Sequence, residues 1–196
     1  MNILKFSLIP FRDKGPVPHI EIAGSIGRRV SLVSIGYTLR GDLLDLEIPA
    51  PVEVPERKDR LWEDTCLEFF LGVRGSKDYW EFNLSPAGHW NVYRFASCRE
   101  GMREEPAIAS LPFEVWSEPG GLRLALELDI RTIVPAGRTV DVAVCAVVKT
   151  RTGEVSYWAL VHPGPRPDFH RRDGFLLQLS PTPGDRRTIS TFSDRS

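Results

Sequence analysis

The sequence predicts an all-β, single-domain antiparallel β-sandwich, and three observations carry that reading. Over residues 79–85, Trp80, Phe82 and Leu84 alternate with Tyr79, Glu81, Asn83 and Ser85, the period-two pattern of a strand with two chemically different faces. Over residues 122–130 every second residue, Leu122, Leu124, Leu126, Leu128 and Ile130, is aliphatic. Turn-forming prolines and glycines recur between such runs while helical periodicity is almost absent, the punctuation expected of two packed sheets.

The elements follow in order along the chain. Residues 3–9 form an apolar first strand. Ile20, Ile22 and Gly24 alternate with polar neighbours up to a turn region at 24–27. Val30, Leu32 and residues 37–39 make a further strand, and Gly41-Asp42 turns the chain into another at 43–48. Three prolines and several charges make 49–59 a surface loop. Residues 60–71 and 79–85 are consecutive strands, and Pro86-Ala87-Gly88 is a tight turn into 90–96. Residues 97–111 are charged and irregular, with room for a short helical piece. Residues 113–116 and 122–130 form a hairpin across Glu118-Pro119-Gly120-Gly121, and 139–150 and 154–161 form a second across Arg151-Thr152-Gly153. A proline-rich loop over 162–173 leads to a closing strand at 175–179. One domain spans 1–180, followed by a polar tail at 181–196.

Composition narrows the function. A chain of 196 residues with 42% hydrophobic and 26% charged residues is long enough for one substantial core. A net charge of -1 gives no basic field for nucleic acid, and no run approaches the length of a membrane-spanning helix. Cys66, Cys98 and Cys145 are odd in number and lack CxxC spacing, so Cys66 and Cys145 read as buried free thiols rather than a disulfide framework or zinc knuckle. The N-terminal apolar run meets Pro10 too early for a secretory signal. A cytoplasmic protein is expected.

The chemistry concentrates at 60–90. Glu81 and Asn83 project from one strand face, and Glu68 joins them if its strand is the neighbour and Leu67, Phe69 and Leu71 turn inward. Trp62 and Trp90 bracket this face as planar rings, and rings beside a few orienting polar groups suit a hydroxylated small molecule. The bland alternative is a solvated sheet face. Adjacent carboxylates repel and want a cation or a donor ligand; Arg60 and Arg94 are the nearest arginines, as ligand contacts or as structural ion pairs. Trp80 and Trp158 sit in runs dense in large apolar groups and read as core.

His162, His170 and Asp168 share a loop, so a divalent ion is conceivable there, and a haem would need Met1 or Met102 opposite a histidine. His170 otherwise reads as a loop-locking hydrogen bond to backbone. No metal site and no cofactor is expected. GxSxG, HExxH, P-loop and GxGxxG patterns are missing. Glu68 and Glu81 could be written as a glycosidase pair, but that chemistry needs a separation and a raised pKa that sequence does not give. A non-enzyme is expected.

Four motifs carry a resemblance over about residues 1–180. Arg57, Asp59 and Arg60 ahead of Leu61-Trp62-Glu63-Asp64-Thr65-Cys66-Leu67-Glu68 are the first, and Tyr79-Trp80-Glu81-Phe82-Asn83-Leu84-Ser85-Pro86 the second. The others are Ser156-Tyr157-Trp158-Ala159-Leu160 with His162, and Pro167-Asp168-Phe169-His170. In this order they resemble the DOMON-like proteins of bacteria, which are similar to family 9 carbohydrate-binding modules. The resemblance implies a sandwich with a ligand site on the concave face of one sheet. It implies polar contacts from Glu68, Glu81 and Asn83 and ring contacts from Trp62 and Trp90. The chain departs from the sugar binders in its loop at 165–173, where Asp168 and His170 stand. The site expected is therefore Arg60, Trp62, Glu68, Glu81, Asn83, Trp90, Arg94 and His170, taking a small-molecule ligand, a carbohydrate, without catalysis. The competing readings are a protein-interaction or structural module, a metal- or haem-binding protein, and a metal-assisted hydrolase built on His162 and His170.

Overall fold

The computed structural model describes residues 2–12 and 17–181. Met1 and all of the expected tail beyond Pro181 lie outside the described residues. Within them the strands are β1 (Asn2–Ser7), β2 (Ile9–Pro10), β3 (Ile20–Arg29), β4 (Leu32–Gly41), β5 (Cys66–Val73), β6 (Tyr79–Leu84) and β7 (Trp90–Phe95). They continue as β8 (Arg103–Glu104), β9 (Phe113–Glu118), β10 (Gly121–Asp129), β11 (Val140–Lys149), β12 (Val155–Ala159) and β13 (Leu177–Leu179). One sheet has the order β1-β3-β4-β10-β9; the other runs β2-β12-β11-β5-β6-β7-β8, with β13 also paired to β11. The fold is an all-β antiparallel sandwich.

The alternating runs explain why the sheets stack. Leu122, Leu124, Leu126 and Leu128 of β10 join Ile35 and Leu39 of β4 in one buried cluster. Leu71, Trp80, Phe82, Leu84, Val142 and Val144 enter it from the opposite sheet. Phe69 and Phe82 stack across β5 and β6 with centroids 4.3 Å apart. Tyr37 is buried in the same layer, and its hydroxyl donates to the Glu68 carbonyl at 2.7 Å, tying one sheet to the other. Trp158 is buried here too.

Several local expectations give way. Residues 24–27 are not a turn: β3 runs through them and the chain reverses at Val30, whose φ is 57°. Gly24 marks close approach instead, since a Cβ there would lie 2.0 Å from the Gly36 carbonyl oxygen and 2.5 Å from the Phe6 ring. Residues 43–48 are a 3-10 turn, Leu43–Asp45, and a single bridge from Leu46 to Thr150. The first strand divides at buried Leu8, sending β1 to one sheet and β2 to the other. Residues 97–111 hold no helix, only β8, turns and a single bridge from Ser97 to Glu100.

The polar face of β6 is not open to water. All six of its residues are buried, because the outer face of this sheet is covered as well as the inner one. Phe70, Tyr79, Tyr93, Phe95, Ala143, Cys145, Ala159 and Phe175 form a second, smaller core there, with Trp62 and Phe169 packed against it. The covering segments are the 3-10 turn Leu61–Glu63 and the loop over 162–176.

Candidate functional site

Register assigns the site to one face. Glu68 pairs with Asn83 across β5 and β6, Glu81 with Phe70, and Cys145 of β11 with Glu68. Side chains alternate along each strand, so Glu68, Glu81 and Asn83 share the outer face while Leu67, Phe69 and Leu71 enter the inter-sheet core. Over this face lies a cavity of about 430 Å³. Glu68, Glu81 and Val147 line it from the sheet, Trp62, Phe95, Tyr157, Phe169 and His170 from its walls, and Arg99, Met102 and Pro167 complete the lining.

Each wall residue is held from behind. The Trp62 ring meets Tyr93 edge-on at 5.6 Å, and the Tyr93 hydroxyl donates to Asp59 Oδ1 at 2.5 Å. Phe169 packs edge-on to Tyr157 at 6.1 Å. His170 sits among Phe70, Tyr79 and Phe95 at 5.3, 6.0 and 5.0 Å. Its Nδ1 lies 2.9 Å from the Tyr79 hydroxyl, which accepts from the Arg99 backbone N–H at 3.1 Å. Asp168 accepts from the Arg99 guanidinium through Nε and Nη2 at 3.1 and 2.8 Å, and from the His170 backbone N–H at 3.2 Å.

The floor is electrostatically uneasy. Glu68 and Glu81 are 2% and 5% exposed. Burial first, then the neighbouring Glu81 charge, raises the Glu68 carboxyl well above the ordinary range. Burial pushes Glu81 up to about 7, opposed by the Asn83 Nδ2 donor at 2.9 Å and by Arg99. Burial lowers His170 to about 4, helped by the Arg99 charge. His170 Nε2 is 3.8 Å from Glu81 Oε2, too far for a hydrogen bond, so at neutral pH the imidazole is uncharged. The Cys145 thiol makes a long contact of 3.8 Å to Glu68 Oε2, and Glu68 Oε1 has no hydrogen-bond partner. Cys66 donates from below to Asn83 Oδ1 at 3.7 Å.

Of the expected site residues, Trp62, Glu68, Glu81 and His170 line the cavity and Asn83 supports it from beneath. Trp90 does not. It opens β7 opposite Leu84, so its ring enters the inter-sheet core with Arg57 4.4 Å above it. Arg94 shares that parity: it pairs with Trp80, lies over the Trp80 ring and binds Asp78 at 2.9 Å. Arg60 is exposed and bound to Glu63. The guanidinium at the cavity is Arg99, from the irregular segment after β7. His170 locks its loop through the Tyr79 hydroxyl, not through backbone as expected. His162 lies apart, bonded to the Ile9 carbonyl, and among the described residues no three His, Cys, Asp or Glu side chains converge as metal ligands. Tyr157 and Phe169 lie within motifs singled out above for resemblance, which was the signal for them; Arg99 had none, and Met102 had been named only for haem.

No family model matches the sequence, and no curated protein matches it at the sequence level. Solved structures do match the fold. A Bacteroides uniformis ATCC 8492 protein, to which carbohydrate binding is provisionally ascribed, is similar with a TM-score of 0.65 and 17% identity, over 92% of this chain and 86% of that one. A family 9 carbohydrate-binding module from Caldicellulosiruptor kristjanssonii in complex with glucose gives 0.51 and 7%, over 85% and 79%. A module of the same family and organism in complex with cellotriose gives 0.52 and 8%, over 92% and 84%. At such identities the likeness establishes the architecture, a family 9 module-like sandwich.

Proposed function

We propose that this is a non-catalytic ligand-binding protein whose cavity over Glu68 and Glu81 takes a carbohydrate or a similar hydroxylated small molecule. The observation that carries the reading is the unpartnered Glu68 Oε1 in a ring-lined cavity. A buried acceptor without a donor is costly, and a ligand hydroxyl is a donor of the right kind. Trp62, Tyr157 and Phe169 supply ring surface for the CH side of a sugar, with Glu81 as a second acceptor. The fold shared with modules solved with glucose and cellotriose supports the same reading. A concave cavity of this size suits a small molecule better than a protein interface, for which a flat polar face would be the natural form. The three free cysteines support a reducing compartment, the cytoplasm.

Calorimetric titration with monosaccharides and short oligosaccharides tests this. Glu81→Ala should abolish binding while its circular dichroism stays near native, and Trp62→Ala should weaken binding about tenfold, the loss expected for one stacked ring. Either variant binding as well as the parent would remove the site from this cavity.

A further inference from the structure

The charge balance around the cavity narrows the ligand class, an inference that rests on the carbohydrate reading above. Every segment facing the floor contributes titratable or charged groups. Glu68 and Cys66 come from β5, Glu81 and Tyr79 from β6, Tyr93 from β7, Cys145 from β11 and Tyr157 from β12. Arg99 follows β7, and Asp168 and His170 belong to the covering loop. Arg99 is the single Lys or Arg among the described lining residues. Its guanidinium is already committed to Asp168, and the His170 imidazole is uncharged. Two buried carboxyl groups, one with an oxygen that has no hydrogen-bond partner, thus face the cavity without a cation bonded to either. Trp62, Phe95, Tyr157 and Phe169 line the same space, and aromatic faces are negative where carbon hydrogens are positive. Rings around carboxylates form a receptor for a cation. On a sugar, the group that replaces a hydroxyl at nearly constant size and brings both donors and positive charge is an ammonium.

We propose that the cavity selects an amine-bearing sugar in its protonated form, with the ammonium over Glu68 and Glu81 inside the Trp62, Phe95, Tyr157 and Phe169 rings. The unpartnered Glu68 oxygen then gains a charged donor, a stronger partner than a neutral hydroxyl. An ammonium beside Glu81 also favours its ionised form, which burial otherwise opposes.

The test is calorimetry of the full chain at pH 7 with D-glucosamine, D-glucose and N-acetyl-D-glucosamine. D-Glucosamine should bind about tenfold tighter than D-glucose or better, the equivalent of one good charged contact. Acetylation, which removes the charge, should erase that advantage. Glu81→Gln, close in size and still an acceptor for Asn83, should bring the ratio of the two affinities towards one. D-Glucose binding as tightly as D-glucosamine would overturn the inference and leave the carbohydrate reading standing. Failure of all three sugars to bind would overturn both, and D-glucosamine binding without D-glucose would support the inference. The comparison of sugars on the parent protein decides the matter even if Glu81→Gln does not fold.

Discussion

Glu81 and His170 are a pair whose proton preferences oppose each other. Folding raises the Glu81 carboxyl to about 7 from its ordinary value of 4.5 and lowers the His170 imidazole to about 4 from 6.5. A raised carboxyl contributes stability that is full below the unfolded value and is lost as pH climbs through about 7. A lowered imidazole contributes stability that is full above 6.5 and is lost as pH falls towards about 4. Between about 4.5 and 6.5 each state of the protein holds one proton on this pair, on Glu81 when folded and on His170 when unfolded, so the two slopes cancel. Single variants should expose them. In Glu81→Gln, stability should rise with pH over that window relative to the parent, and in His170→Gln it should fall, each by roughly 1.4 kcal/mol per pH unit. Urea titrations at three pH values measure this directly; equal slopes in the two variants would contradict the assignment. Nothing in the sequence announces this opposition, because it comes from burial of a strand face that alternation alone marks as exposed. The polar face itself was legible, since Glu81 and Asn83 lie two residues apart and share a side of the strand.

At the level of elements, period two assigned the faces of β5 and β6 but not of β7. The sequence starts this strand at Trp90, as the structure does, but does not give its register against β6; one position of slip sends the ring, and Arg94 with it, to the opposite side of the sheet. The covering loop was legible as a proline-rich connection, though not as the roof of the site. One feature of β5 explains how that loop is held. Gly72 leaves a notch on the outer face, and the Arg172 side chain fills it: a Cβ at position 72 would lie 1.3 Å from Nη1. Arg172 also lies over the Phe175 ring at 4.6 Å and reaches Asp141 at 3.6 Å. Gly72→Ala should therefore evict the guanidinium and loosen residues 162–176 while leaving the sheets intact. Amide hydrogen exchange should quicken in that loop, with global stability changed by no more than about 1 kcal/mol. Unchanged exchange over 168–175 would mean that the loop is held by other contacts, the Arg99 pair with Asp168 foremost.

The whole molecule shows where pattern reading stops. Alternation and turn chemistry specify two amphipathic sheets, because every aliphatic face must find another. They do not specify partners: β4 pairs with β10 and β5 with β11, contacts between distant parts of the chain that local sequence does not encode. The turn wrongly expected at 24–27 has the same origin, since glycines that serve a turn and glycines that admit a neighbouring backbone look alike in sequence. What the sheets share is the layer between them, and Leu126 tests it. Leu126 is 2% exposed and belongs to the main core, while Trp116, on the adjoining strand β9, is 43% exposed. Removing three carbons at Leu126 leaves a void that rigid sheets on both sides cannot fill, so Leu126→Ala should cost about 2 to 5 kcal/mol. Trp116→Ala removes a far larger side chain but from the surface, where it leaves no enclosed void, and should cost less than Leu126→Ala. Denaturant titration of the two variants measures the contrast, with the slope of free energy against urea unchanged if both still unfold in one step. A larger loss for Trp116→Ala than for Leu126→Ala would mean that the apolar layer is not where the alternation of β10 puts it, and the sandwich with it.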